Sequence, residues 1–411
     1  YPYLSYGIRA GSKYLRTCSV KYGHMNDSAP SSTDAAYESV HTEESSSTAN
    51  TNLHFQCVGL DKVDSIEWET LFNDSDSPSN FYHRQFVFSA VKTWRELGPL
   101  QLIVAYEGSR LVFLQPVRLL NSFLGLSLEF LEIPTADRIE PLVVSSDKDK
   151  ILAAYRAFLT DSLAPDFISG RSLTTEFADL LTHWFQNASQ ESQPGGTGWL
   201  LSLPKSMEIF FDNYSSNFRH QMRRRLRKAE AAGIKFRVTS ASESEQDELL
   251  GGALNTLRNL HGLRFASLGR PSFFLKPHFR AFHDDLVSNS NNAGLRLSFT
   301  EALYNGRVVG SLYGTRFNDS FTFLMIGFDP DFSEFSPGHL LIYHTIVDLV
   351  RYGVDTFDFK CGGEPYKQRW SDQRYDKVNL AIALSWSGRI LRWFRKLAHS
   401  RISLNKKKLV G

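Results

Sequence analysis

The densest group of chemistry-bearing side chains lies between Phe321 and Trp370. A strand-like run, Phe321–Phe328, ends in Asp329-Pro330, and the loop after it leads through Ser336-Pro337-Gly338 into His339, Leu340 and an apolar helical stripe. Ser336 suits a helix cap, Pro337 suits a first turn, and Gly338 lets a ligand approach the backbone closely. Amide hydrogens at such a helix start are a site for phosphate oxygens. The next strand-like run, Asp355–Lys360, would lie parallel to the first through a right-handed crossover. It carries Asp358, and Glu364, Tyr366 and Lys367 follow at once. Titratable groups thus gather beside a phosphate-binding turn, the setting in which functional pKa shifts occur. The bland alternative is a turn glycine, a strand-end carboxylate and a packed tyrosine. No Ser-His-Asp or Cys-His order stands out, so a covalent intermediate is not indicated, and Cys361 reads as a small buried residue.

The surrounding elements follow from periodicity. Leu295–Tyr304, Val308–Phe317 and Phe321–Phe328 form a meander with turns at Asn305-Gly306 and Asn318-Asp319, and helix Gly338–Tyr352 and strand Asp355–Lys360 complete the unit. Upstream lie helices Leu249–Phe265 and Lys276–Ser288, and downstream a strand Val378–Trp386. The helix Asn217–Ala232 has the apolar stripe Phe218, Met222, Leu226 and Ala229, with Arg219, Arg223, Arg224, Arg227 and Lys228 turned away from it. Its basic face is either solvated or a phosphate contact. No aromatics interleave for base stacking, which weighs against single-strand binding.

An earlier stretch repeats this order. Helix Phe81–Leu97, strands Leu100–Tyr106, Leu111–Leu120 and Leu126–Ile133, and helix Asp147–Leu163 echo the later unit, with the hairpin at Glu107-Gly108 matching that at Asn305-Gly306. The expected division is a disordered Ser/Thr-rich segment 1–54, a first domain 55–192, a Pro/Gly linker 193–198, a second domain 199–388 and a basic amphipathic tail 389–411. The fold class is α/β (α+β), each domain a mixed twisted sheet flanked by helices.

The 411 residues fit two domains of common size, and a net charge of +2 sets up no global field for nucleic acid. Three cysteines without metal-ligand spacing argue against both a disulfide framework and a metal site, and a reducing cytoplasm is the simplest reading. No apolar run reaches membrane-spanning length and no secretory signal is evident; Met25 is one candidate start. In the tail, Ile390, Trp393, Phe394 and Leu397 make an apolar face among Arg389, Arg392, Arg395 and Lys396. That composition fits docking on the second domain or peripheral contact with an anionic inner membrane.

The motifs resemble those of the GNAT acyltransferase superfamily, in the CelD-like subgroup of cellulose and exopolysaccharide clusters that fuses two GNAT-like halves. The residues concerned are Gly327-Phe328-Asp329-Pro330, Ser336-Pro337-Gly338, Gly353, Asp358-Phe359, Gly363-Glu364-Pro365-Tyr366-Lys367 and Trp370. Asn217-Phe218-Arg219 and the pair His261 and Arg264 match further, as do Phe81-Tyr82-His83, Trp94, Gln115-Pro116 and Glu140-Pro141-Leu142 in the first half. Of the superfamily loop pattern, Gly338 is retained. The resemblance implies acyl-CoA (acetyl-CoA or longer) as co-substrate, held at Phe328, Ser336, Gly338, His339 and Leu340. It implies direct N- or O-acylation of a small-molecule or saccharide acceptor. Asp358 or Glu364 would take the acceptor's proton, Tyr366 would protonate the leaving thiolate, and strand-end amides would stabilise the oxyanion. Arg219, Arg223, His261, Arg264 and Lys367 would bind the substrate. Two rivals share the fold: a FemABX-type peptidyltransferase, whose Arg-rich helix would meet aminoacyl-tRNA, and a non-catalytic scaffold of a polysaccharide assembly.

Overall fold

The computed structural model describes residues 53–395, except 77, 95–97, 99, 134–135, 241–246 and 291–294. The segment expected to be disordered lies outside these residues apart from Leu53 and His54, which already begin a strand. Residues 396–411 of the tail also lie outside.

The first half is a meander of β1 (Leu53–Gly59), β2 (Gln101–Glu107), β3 (Arg110–Ser122) and β4 (Gly125–Phe130), with α1 (Ser65–Asp74) and α2 (Arg84–Thr93) inserted after β1. The short β5 (Leu142–Val143) pairs with β3; then α3 (Lys148–Ala157), extended by a π-helical turn Phe158–Leu163, leads to β6 (Phe167–Thr174), parallel to β4. α4 (Thr175–Trp184) and β7 (Ser189–Ser202) follow. The second half repeats the plan. α5 (Ser216–Ala231) precedes β8 (Lys235–Ser240), then come α6 (Asp247–Ser267), α7 (Pro277–Ser288), β9 (Arg296–Tyr304), β10 (Arg307–Phe317) and β11 (Ser320–Phe328). α8 (Pro337–Arg351) crosses to β12 (Thr356–Cys361), parallel to β11, and α9 (Pro365–Trp370) leads to β13 (Gln373–Ala383). The Asn305-Gly306 turn has φ of +48° and +78°, the left-handed pair a tight hairpin requires.

The two halves are joined by exchanged strands. The sheet order is β1-β2-β3-β4-β6-β13-β7-β12-β11-β10-β9-β8. β7 leaves the first half to pair with β12, and β13 returns from the second half to pair with β6. Residues 193–198, expected as a linker, therefore lie inside β7, where Gln193↔Asn379 and Gly198↔Tyr375 are ladder partners. Gly198 is needed there because any Cβ would overlap the Tyr375 ring.

Burial follows the same plan. One core runs from the first half under α6 and α7, from Phe86 and Phe113 to Phe282 and Phe299. A second fills the opposite face of β9–β12 beneath α5 and α8, around Met222, Leu341, Phe357 and Trp370. The helical residues 386–395 bring Arg392 to Ser189 (2.8 Å) and Arg395 to Glu129, while Trp386, Trp393 and Phe394 are exposed. The tail was expected to dock through its apolar stripe or to meet a membrane; here Arg392 and Arg395 make the contacts with β7 and β4. Among the described residues, no helix is long and apolar enough to cross a membrane.

Candidate functional site

β11 and β12 pair over three positions only, Ser320↔Thr356, Phe321↔Phe357 and Thr322↔Asp358. Beyond them β11 stays on β10 as far as Phe328 while β12 stays on β7, so a gap opens inside a continuous sheet. β11 carries a bulge here, since Gly314 faces Phe323 and Tyr313 faces Met325, leaving Leu324 extra. Along Phe323–Phe328 the strand lacks a ladder on its β12 side, so alternate amides point into the gap.

A cavity of about 210 Å³ lies at this gap, bounded by Ile326 and Phe328 of β11, Ser336, Gly338 and His339 at the start of α8, Arg264 of α6 and Tyr366 of α9. α8 is built as its sequence requires, with Pro337 in the first turn and Leu340, Leu341, Ile346 and Leu349 buried. Ser336 adopts a left-handed φ of +56° and does not cap with its hydroxyl; instead its carbonyl accepts from the amides of His339 (3.0 Å) and Leu340 (3.4 Å). Pro337 has no N–H, so Gly338 offers the first donor of the helix. A Cβ on Gly338 would meet only Ile326 and Phe328 at 3.8 and 3.9 Å, so the glycine opens space toward β11 rather than relieving strain.

The surroundings are cationic. Arg264 stacks on Phe328 (4.7 Å) with Nη1 3.5 Å from the Ile326 carbonyl. His339 Nδ1 accepts from Trp370 Nε1 (2.9 Å), and burial, then Arg225 and Arg369, hold its imidazole down at about 4, so it is neutral at pH 7. Arg225, Arg264 and Arg369 with the α8 dipole form a site suited to a polyanion. The Tyr366 hydroxyl has no hydrogen-bond partner among the described residues, and burial followed by Glu364 raises it well above an ordinary phenol, so it keeps its proton. Beyond Trp370 a larger cavity of about 870 Å³ runs between the start of α5 and α9, lined by Asn213, Tyr214, Asn217, Phe218 and Arg369.

Not every expected residue reaches the gap. Leu340, expected to contact the donor, is 1 % exposed and its side chain belongs to the core. His261 is 2 % exposed, stacked on Phe265 and bonded through Nδ1 to Ser272 Oγ (2.8 Å), a core histidine that burial lowers to about 4. Arg219 and Arg223 line neither cavity. Lys367 is buried, its Nζ donating to the Cys361 carbonyl (2.7 Å) and lying 3.4 Å from the exposed Glu364 carboxylate. Asp358 projects from the opposite side of β12 to Phe357 and Phe359, which face the α8 core. There its Oδ1 accepts from Lys360 N–H (2.7 Å) and Tyr375 O–H (3.2 Å), and burial raises its pKa. Arg225 and Arg369 had no signal of their own: both sit in basic runs whose helical register decides which arginine faces α8. Among the described residues, no group of three or more His, Cys, Asp or Glu side chains is placed to hold a metal ion.

Residues 216–368 match the family model of an acetyltransferase (GNAT) domain. That span runs from α5 into α9 and contains the β11–β12 gap. No curated protein matches the chain in sequence. Among solved structures, FemX superposes with a TM-score of 0.57 at 8 % identity over 82 % of this chain and 99 % of its own. A conserved protein of unknown function from Bacteroides thetaiotaomicron gives 0.52 at 12 % over 78 % and 98 %. Both likenesses span both halves and concern the fold. A tandem GNAT protein from the clavulanic acid biosynthesis pathway is also similar, at 0.42 and 12 % over 80 % and 98 %.

Proposed function

We propose that the protein is an acyl-CoA-dependent N- or O-acyltransferase, with the thioester arm in the β11–β12 gap and the pyrophosphate at the start of α8. The observation that carries this reading is the pair of parallel strands parting beside a helix start ringed by Arg225, Arg264 and Arg369. In this reading Tyr366, protonated and lining the gap, gives its proton to the departing thiolate. Asp358, on the other face and raised by burial, takes the proton of the attacking group. Unpaired amides of β11 hold the oxyanion. Glu364 and Lys367 neutralise one another and hold α9. The CelD-like phrase Glu364-Pro365-Tyr366-Lys367 favours a saccharide acceptor in exopolysaccharide synthesis, and exposed Trp386, Trp393 and Phe394 would make any membrane contact.

A second reading, transfer from aminoacyl-tRNA, is favoured by exposed Arg223, Arg224 and Arg227 on α5. Thermal unfolding separates the readings, because a ligand at about 100 times its Kd adds about 2.7 kcal/mol. Acetyl-CoA should raise the Tm and aminoacyl-tRNA should not. Protection by aminoacyl-tRNA alone establishes the second reading, and protection by neither leaves a scaffold.

A further inference from the structure

β12 carries an irregularity beside the gap. It pairs Asp358 with Leu200 and Cys361 with Gly198, so it has one residue more than β7 between these points. Lys360, inside that bulge, takes a left-handed φ of +63°, which a lysine adopts only when its surroundings impose it. The Asp358 carboxylate imposes it by accepting the Lys360 amide hydrogen, and Tyr375 fixes the carboxylate in turn.

The first half contains the matching bulge. β6 pairs Leu173 with Val378 and Gly170 with Leu380, again with one residue extra, and Ser172 is left-handed at +54°. There the bulge is closed: Ser172 Oγ donates to Glu132 (2.8 Å) and accepts from Lys377 (3.2 Å). In the second half it is not. The Lys360 ammonium lies over the Phe81 ring (5.1 Å) and has neither an ion pair nor a hydrogen bond among the described residues. Phe81 comes from the first half, in a turn that Asn80 ties to Thr322 of β11 (2.7 Å). The nearby carboxylate of Asp137 is engaged by Lys377 (2.9 Å) and by the Cys361 amide (2.7 Å). On the same side, among the described residues, His283 is fully buried with no hydrogen bond to either ring nitrogen, and the Tyr313 hydroxyl likewise makes none. A half-buried cation with no hydrogen bond or close ion pair, beside buried polar groups that make no hydrogen bond, is a place where an anion would be held.

We propose that Lys360 binds a carboxylate of the acyl acceptor, in a subsite built by both halves on the face of the sheet opposite α8. A carboxylate fits better than a phosphate, because Lys360 supplies one ammonium, and the Asp137 and Asp358 carboxylates, offset in part by Lys377, would repel a second negative charge. The acceptor class is then an amine or alcohol that bears a carboxylate, such as an amino acid, a peptide or an acidic sugar. This rests on the acyl-transfer reading, in which donor and acceptor approach the gap from opposite faces.

The test uses the full chain with ¹³C-methylated lysines, the Lys360 resonance being identified by its absence in Lys360→Arg. Potassium acetate, potassium phosphate and potassium chloride are titrated separately at constant ionic strength, and acetyl-CoA in another sample. Acetate should move the Lys360 resonance saturably, phosphate less, and chloride not at all. In parallel, acetate in place of chloride should raise the Tm of the wild type and not that of Lys360→Met. No acetate-specific shift, or a larger one with phosphate, overturns the carboxylate subsite, as does equal acetate protection of wild type and Lys360→Met. Acetyl-CoA that perturbs no resonance removes the donor reading, and that result is independent of the acetate arm.

Discussion

Asp137→Asn is the sharpest test of how the two halves are fastened together. Asp137 and Lys377 are each 5 % exposed, their charged atoms 2.9 Å apart, and the pair joins the first half to β13. Asparagine keeps the size and can still accept the Cys361 amide hydrogen (2.7 Å), so the change removes chiefly the charge. It leaves Lys377 buried with only neutral partners. Removing one member of a buried pair costs about 3–5 kcal/mol, whereas replacing both by uncharged groups is nearly neutral. The double variant Asp137→Asn/Lys377→Met should therefore lose less stability than Asp137→Asn alone. The pH dependence follows in sign. Burial pushes Asp137 up, but Lys360 and Lys377 outweigh it and hold the carboxyl below its ordinary value. Its contribution is complete above the unfolded value of about 3.9 and fades as pH falls through the lower folded one. Burial pushes Lys377 down, but Asp137 outweighs it and raises the amine, so that contribution is complete below about 10.4 and fades as pH rises beyond the folded value. Urea unfolding followed by tryptophan fluorescence should show a constant loss for Asp137→Asn between about pH 5 and 9. Wild-type stability in that variant, or a double variant worse than the sum of the singles, would refute the reasoning.

Three further outcomes are expected. Tyr366→Phe and Asp358→Asn should each lower turnover about a hundredfold with acetyl-CoA affinity unchanged; wild-type rates with an identified acceptor would move the acid and base elsewhere. Gly327→Ala should cost about 1–3 kcal/mol, because its Cβ would sit 2.8 Å from the Cα of His261 and push α6, with Arg264, off β11; unchanged urea unfolding and acetyl-CoA affinity would contradict this. Burial holds His261, His339 and His344 at about 4 and His283 at about 3, so the native state binds fewer protons than the unfolded chain below about pH 6.5 and stability should fall from there toward acid. A Tm that stays flat between about pH 6.5 and 5 would count against neutral, buried imidazoles.

What the sequence shows clearly is what local physics decides. The Asn305-Gly306 turn, the meander of β9 to β11 and the Pro337-capped stripe of α8 all stand where periodicity and turn chemistry put them. β7 was hidden because Pro194-Gly195-Gly196 reads as a turn, while its ladder partners lie more than 150 residues away in β12 and β13. Pairing of that kind overrides local propensity. The cavity at the gap is legible in the sequence because Phe328, Ser336, Gly338 and His339, which line it, come from one strand–loop–helix segment. The proposed acceptor side is not. Phe81, Asp137, Lys360, Tyr375 and Lys377 meet only through the exchanged strands, so no spacing announces them. Leu340 and His261 misled for a simpler reason: each sits in a motif beside the gap, yet helical register turns it into the core.

In the acyl-transfer reading, the donor's phosphates sit at the start of α8. Isothermal calorimetry of acetyl-CoA binding to wild type and Gly338→Asp measures this directly, since the new carboxylate would face the pyrophosphate at the first free amide of the helix. The wild type should bind measurably and the variant at least about tenfold more weakly, a difference of about 1.4 kcal/mol. Equal affinity in the two proteins, with the variant folded, would contradict it.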